Sequence, residues 1–218
     1  MELEPFAGLA GRPRPPLDEL ALALAAEFVP VDAPAALAGL DRLGEEIAVA
    51  AGRDGDPEIE AAAVRGVLGA RHGFVGDRED YDHPDNSMLD RVLARRTGLP
   101  ILLSVVYVEA ARRAGIELSG VGLPGHYVVG HFGGMPPILL DPFAGGAVLE
   151  VPGSADVVPW TAHQTALRML NNLVGSYQRR HDLTRAIRAA ELRLELPLPE
   201  REVAAFEAQL HSIRALLN

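Results

Sequence analysis

Residues 99–115 read Leu99-Pro100-Ile101-Leu102-Leu103-Ser104-Val105-Val106-Tyr107-Val108-Glu109-Ala110-Ala111-Arg112-Arg113-Ala114-Gly115. Pattern alone leaves this run open, because the β-branched stretch Ile101 to Val108 suits a buried strand as well as a buried helix. Its ends decide the matter. Pro100 fits the first turn of a helix, where a missing amide donor costs nothing. Glu109-Ala110-Ala111-Arg112-Arg113 is a helical finish, and Gly115 is a stop. One buried helix is predicted.

Upstream, Asn86-Ser87-Met88-Leu89-Asp90 reads as another helix start, with Ser87 accepting from the Asp90 amide and Asp90 reaching back. That helix ends with Arg95 and Arg96 in its last turn and Gly98 just beyond. The segment Asp77 to Asp85 carries five carboxylates in nine residues without helical or strand period, so it is a loop. Three earlier helices are predicted. The first runs from Leu17 to about Phe28, the second from Pro34 to Ala51 and the third from Pro57 to His72, with Leu20, Leu24, Leu40, Leu43 and Ile47 on their buried stripes. Residues 1–16, with four prolines, read as a loosely ordered lead-in.

Downstream the period changes. Leu118–Leu123, His126–Phe132, Pro137–Asp141 and Ala147–Val151 look like strands punctuated by glycine and proline, as a short antiparallel meander requires. After Trp160 the chain is helical again. The expected class is α+β, with residues 17–160 as the core unit and 161–218 as helices packed on it.

Composition narrows the function. The chain has no cysteine, which excludes disulfides, thiolate metal sites and a cysteine nucleophile, and removes the commonest mark of an oxidising compartment. Its formal charge is −10 and its twenty basic residues are all arginine. So acidic a chain repels phosphate backbones, which argues against a nucleic-acid partner. Its most apolar run, Leu99 to Val108, is about half the ~20 residues a membrane span needs. The start, Met1-Glu2-Leu3-Glu4-Pro5, is unlike a secretory signal. A cytoplasmic protein without a membrane partner is expected.

Several of these stretches resemble the SirB-type family of bacterial proteins, which pair a transglutaminase-like (papain-like) domain with tetratricopeptide helices. The likeness is carried by Arg95-Arg96-Thr97-Gly98-Leu99-Pro100-Ile101, Gly120-Val121-Gly122-Leu123-Pro124-Gly125-His126 and Asp141-Pro142-Phe143-Ala144-Gly145-Gly146. Leu170–Tyr177 followed by Asp182–Pro197 resembles one tetratricopeptide unit, and a last helix runs from about Pro199 to Leu217. A related domain is also embedded in a eukaryotic F-box protein, which suggests a recognition role.

The resemblance implies a buried helix against a small antiparallel sheet, with a Gly-x-Cys at the helix start and a His and an Asp on two following strands. Here Gly98-Leu99-Pro100 stands in the Gly-x-Cys slot, while His126 and Asp141 fill the other two places. Proline supplies no nucleophile. The nearest replacement is Ser104, about one turn (~5.4 Å) further along the helix. Candidate catalytic residues are therefore Ser104, His126 and Asp141, giving a hydrolase or acyltransferase with a relocated nucleophile. Against this, Ser104 suits a back-bond to the Pro100 carbonyl, and His126–Asp141 suits a hydrogen-bonded brace between strands. The leading expectation is a non-catalytic scaffold, a pseudoenzyme that binds a protein or peptide partner. Ligand capture in the former substrate cleft is a third reading. No cofactor and no metal are expected. His126 and His131 are five apart on one strand and face opposite sides, and the acidic loop lacks the order of a calcium loop.

Overall fold

The computed structural model describes residues 3–150 and 157–217. The helix predicted within residues 99–115 is observed from Pro100 to Arg113. Taken in chain order, the N-terminal helices are α1 (Phe6–Ala10), α2 (Leu17–Ala26), α3 (Ala33–Ala51) and α4 (Pro57–Arg65), the last continued by one wide π-helical stretch, Gly66–Arg71. Asp32 and Asp56 cap α3 and α4 by accepting from the amides of Ala35 and of Glu58 and Ile59. Strand β1 (Val75–Gly76) pairs in parallel with β2 (Thr97–Gly98), which brackets a 3-10 turn, Pro84–Ser87, and helix α5 (Leu89–Arg95).

Helix α6 (Pro100–Arg113) then runs through the centre. Ile101, Leu102, Leu103, Val105, Val106, Tyr107, Ala110 and Ala111 are all at most 1 % exposed. Burying so many apolar side chains, each worth about 1.5–3 kcal/mol for the larger ones, is what overrides the strand preference of the β-branched run. Close approach to α3 depends on Gly44, where a Cβ would fall 2.4 Å from the Arg113 Cβ. Four strands follow as an antiparallel meander, β3 (Leu118–Leu123), β4 (His126–His131), β5 (Ile138–Asp141) and β6 (Ala147–Leu149). One sheet face, with Tyr127, Val129 and Leu140, joins the main core that contains α6; Val121, Val128 and Leu139 form a separate small cluster. The class is α+β, as expected.

Helices α7 (Ala162–Arg179), α8 (Leu183–Arg193) and α9 (Glu200–Ala215) complete the chain. Helix α7 opens with a capping box between Thr161 and Gln164 and buries Ala166, Met169, Leu170, Leu173 and Val174 in the main core.

Three expectations differ from what is observed. The lead-in 1–16 contains α1, because Phe6, Leu9 and Ala10 are fully buried in the core and repay the ordering of a short helix. The helix predicted from Asn86 begins at Leu89, with Met88 at its cap and no side-chain cap bond. The Ser87–Asp90 capping pair does not form; the Ser87 hydroxyl and Asp90 Oδ1 are buried without partners. The strand predicted to reach Val151 is observed to Leu149, and Val151 lies outside the described residues.

Candidate functional site

The start of α6 is the place to build from. Leu99 is extended (φ −70°, ψ 155°) and caps the helix, with Pro100 in the first turn. The Leu99 amide donates to the Asn86 carbonyl at 3.1 Å, so the entry to the helix is tied to the preceding turn. Leu99 and Ile101 are 5 % and 1 % exposed, and Pro100 is buried between them. Ser104 is buried and its hydroxyl donates to the Pro100 carbonyl at 2.8 Å. The side chain is thus turned back along its own helix.

His126 opens β4 after a two-residue turn in which Gly125 takes φ +71°, a left-handed conformation that suits glycine. Its Nε2 lies 3.0 Å from Asp141 Oδ2. The other carboxylate oxygen accepts from the Phe143 amide at 2.9 Å, capping the 3-10 turn Pro142–Ala144. The carboxylate lies within ion-pair distance of the imidazole, and the Phe143 amide holds the carboxylate in place. Strand alternation gives His126 and Asp141 the parity of Val128 and Leu139, not that of Tyr127, Val129 and Leu140, which pack toward α6. The two side chains are diagonal neighbours across one strand pair. Among the described residues no hydrogen bond joins Ser104 to His126. The structure therefore brings two of the three candidates together and leaves the third apart.

A layer that sequence reasoning missed covers the start of α6. Asn86 Nδ2 donates to Asp77 Oδ2 (3.1 Å) and to the Asp80 carbonyl (2.8 Å), and its Oδ1 accepts from Arg95 (3.1 Å). Asp77 also accepts from the amides of Glu79 and Asp80 and from Arg95. The Asp80 amide above all, helped by Asn86, the Glu79 amide and Arg95, holds the Asp77 carboxyl below its ordinary range against the opposing effect of burial. Helix α7 clasps the same loop. Arg179 Nε meets Asp82 at 2.9 Å, Arg180 Nε donates to the Asp82 carbonyl at 3.1 Å, and Ser176 donates to that same carbonyl. Tyr81, Asp82, His83, Ser87, Leu99, Asn172, Ser176 and Arg179 enclose about 30 Å³, room for one or two waters and little else. The five carboxylates in nine residues were the available signal, but their arginine partners lie up to a hundred residues away.

Tyr107 is a second omission. Its hydroxyl is buried without a partner; burial first, then the Asp141 charge, pushes its pKa far above the ordinary value. His131 pairs with Glu60 at 2.7 Å, on the opposite parity from His126. Among the described residues no cluster of three metal-ligating side chains occurs.

A buried helix entered through Gly-x-Pro, two antiparallel strands carrying His and Asp, and the Asp-Pro step agree with the sequence comparison, which matches residues 34–188 to the transglutaminase-like superfamily. The chain belongs to that superfamily. As a transglutaminase-like chain it is similar to a UPF0162 protein of Xylella fastidiosa, with 36 % identity over 157 residues, 63 % of this chain and 56 % of the relative. A UPF0162 protein of Pseudomonas aeruginosa is 38 % identical over 119 residues, 53 % of this chain and 43 % of the relative. F-box only protein 21 of mouse is 37 % identical over 81 residues, 37 % of this chain and 13 % of that protein. This transglutaminase-like chain spans just over half the length of the Xylella relative. No solved structure matches it. No helix among its described residues is long and apolar enough to cross a membrane.

Proposed function

We propose that this chain is a non-catalytic, protein-interaction member of its superfamily, a pseudoenzyme in which the shell serves recognition. The observation that carries the reading is Pro100. At the slot where a cysteine would stand beside the helix N-terminus, where the helix dipole depresses a thiol pKa, the chain has a buried ring with no attacking atom, and it contains no cysteine anywhere.

Two further observations support it. Ser104 spends its hydroxyl on the Pro100 carbonyl, so the relocated-nucleophile reading with His126 and Asp141 lacks the nucleophile–base hydrogen bond it needs. The cavity that the acidic loop and α7 leave beside Leu99, about 30 Å³, is too small for an acyl substrate. The His126–Asp141 pair then braces β4 against β5.

A protein or peptide partner fits this reading. The F-box relative, in which the matched stretch is a small part of a long protein, favours a module used for recognition. The SirB-type grouping with tetratricopeptide-like C-terminal helices is part of the same proposal. It is supported by α7 and α8, where Tyr177 (3 % exposed) comes nine residues before Ala186 (0 %). The lack of cysteine favours a reducing, cytoplasmic setting. Purified protein assayed for esterase, amidase and transamidase turnover is expected to show none. Turnover that His126→Ala abolishes would overturn the proposal, as would fluorophosphonate labelling of Ser104.

A further inference from the structure

A cleft of about 340 Å³ opens beside the acidic loop, between the end of α2, residues 83–88 and the α7–α8 turn. That volume lies at the small end of ordinary ligand sites. Tyr177 is its most telling residue. Only 3 % of it is exposed, its ring is tilted against Phe28 at 5.5 Å, and the little surface it keeps lines the cleft. Its hydroxyl can serve a group bound in the cleft as a hydrogen-bond donor.

The polar groups around it are unbalanced. Arg185 spends Nη1 on Asp182, leaving Nε and Nη2. Arg180 spends Nε and Nη2 on the acidic loop, leaving Nη1. His83 Nδ1 accepts from the Asp85 amide, which puts its proton on Nε2 as one more donor. On the acceptor side, both oxygens of Asp182 are engaged by Arg185, through its amide and its guanidinium. Asp85, whose carboxylate oxygens accept no hydrogen bond among the described residues, keeps the larger acceptor capacity of the two. Donors are thus in surplus, yet two arginines face two aspartates and the charges cancel. A phosphate or carboxylate would satisfy the donors but bring a charge the cleft does not answer, close to Asp80 and Asp82. Peptide carbonyls satisfy the donors without charge, and Asp85 can accept a peptide N–H.

We propose that this cleft binds an uncharged peptide segment, seating one apolar side chain against Val29, Pro84 and Met88 and its backbone carbonyls on Tyr177, Arg180 and Arg185. The site deepens the protein-interaction reading and rests on it. The test selects random-sequence peptides displayed on phage with the full chain as bait, then measures a fluorescein-labelled selected peptide by polarisation. Selected peptides should share a Leu, Met or Val anchor without enrichment of Asp, Glu, Lys or Arg. Tyr177→Phe, which keeps the ring against Phe28, should weaken binding about fivefold, the worth of one hydrogen bond. Val29→Glu should abolish it, with an unchanged circular dichroism spectrum for both variants. Selection of acidic or basic sequences, selection of nothing, or binding indifferent to both substitutions would overturn the cleft while leaving the interaction reading in place. His126-dependent turnover, by contrast, would overturn that reading itself.

Discussion

At its C-terminal end α6 carries Arg112 and Arg113; at its N-terminal end it carries Leu99, Pro100 and Ile101. The first end is built from charge. Arg113 reaches Asp18 at 2.6 Å, Asp41 at 2.6 Å and Glu109 at 3.0 Å, while Arg112 meets Glu109 at 2.7 Å. The side chains of Asp18 and Glu109 are only 3 % exposed. Burial, then the Asp18 charge, pushes the Glu109 carboxyl above its ordinary range, and the two arginines pull against them. The second end is built from apolar side chains and one back-bonded serine. A helix dipole favours cations at its carbonyl end and anions at its amide end. This chain uses the first preference to tie α2 and α3 to α6 and makes no use of the second. The two ends are held by different means: charge ties the central helix to α2 and α3 at one, and apolar packing closes the other.

The largest expected effect therefore lies far from the candidate triad. Asp18→Ala removes one of three carboxylates from Arg113, which keeps Asp41 and Glu109. Because the Asp18 and Glu109 side chains are only 3 % exposed, the loss should approach about 3 kcal/mol, the cost of a buried ion pair broken from one side. Urea denaturation should read this as a lowered midpoint at unchanged slope. A loss below about 1 kcal/mol, the worth of an exposed pair, would mean that water reaches this end and that the contrast is false.

Pro100→Cys puts the question to the other end. Losing a proline preset for a first turn should cost about 1 kcal/mol. The new thiol should resist iodoacetamide in the folded protein, because the site is closed by the acidic loop and α7. Transamidase activity should stay absent. Rapid alkylation together with His126-dependent turnover would show that one residue alone separates this shell from an enzyme.

The acidic loop offers a subtler test. The native Asp77 carboxyl titrates below its unfolded value of 3.8. Its ionised form thus contributes stability that is present above about pH 4 and is lost as pH falls through the depressed native value. Asp77→Asn should flatten the fall in melting temperature below pH 4 relative to the parent chain. An identical slope in both would separate the loop from the stability of the fold.

Much of this was legible beforehand, and the reason is local chemistry. Pro100, the Glu109–Arg113 finish and Gly115 are helix signals that act within a few residues, and the helix they bound is observed from Pro100 to Arg113. The nearness of His126 and Asp141 was an implication of the family resemblance, which puts the two on neighbouring strands, and the structure has them 3.0 Å apart. What stayed hidden depends on distance in sequence. Nothing near Asp82 announces Arg179, and nothing near Asp18 announces Arg113. Ser87 and Asp90 had the spacing of a capping box, but the tie between Leu99 and Asn86 draws the preceding turn into a 3-10 form and starts α5 later. Helix α1 was missed because four prolines outweighed three apolar residues until the core they enter was in view.

The smallest expected effect bears most directly on the relocated nucleophile. In Ser104→Ala the lost hydroxyl leaves no orphan, since the Pro100 carbonyl keeps its i to i+4 bond from the Ser104 amide. Alanine is also the better helix former. Stability should change by less than about 0.5 kcal/mol in either direction, read from the urea midpoint. A catalytic serine would instead be expected to destabilise the fold when present, because active sites store strain that alanine relieves. A gain of about 2 kcal/mol on removing the hydroxyl would reopen the enzyme reading even without measurable turnover, whereas a near-zero change leaves Ser104 as one more packed residue of α6.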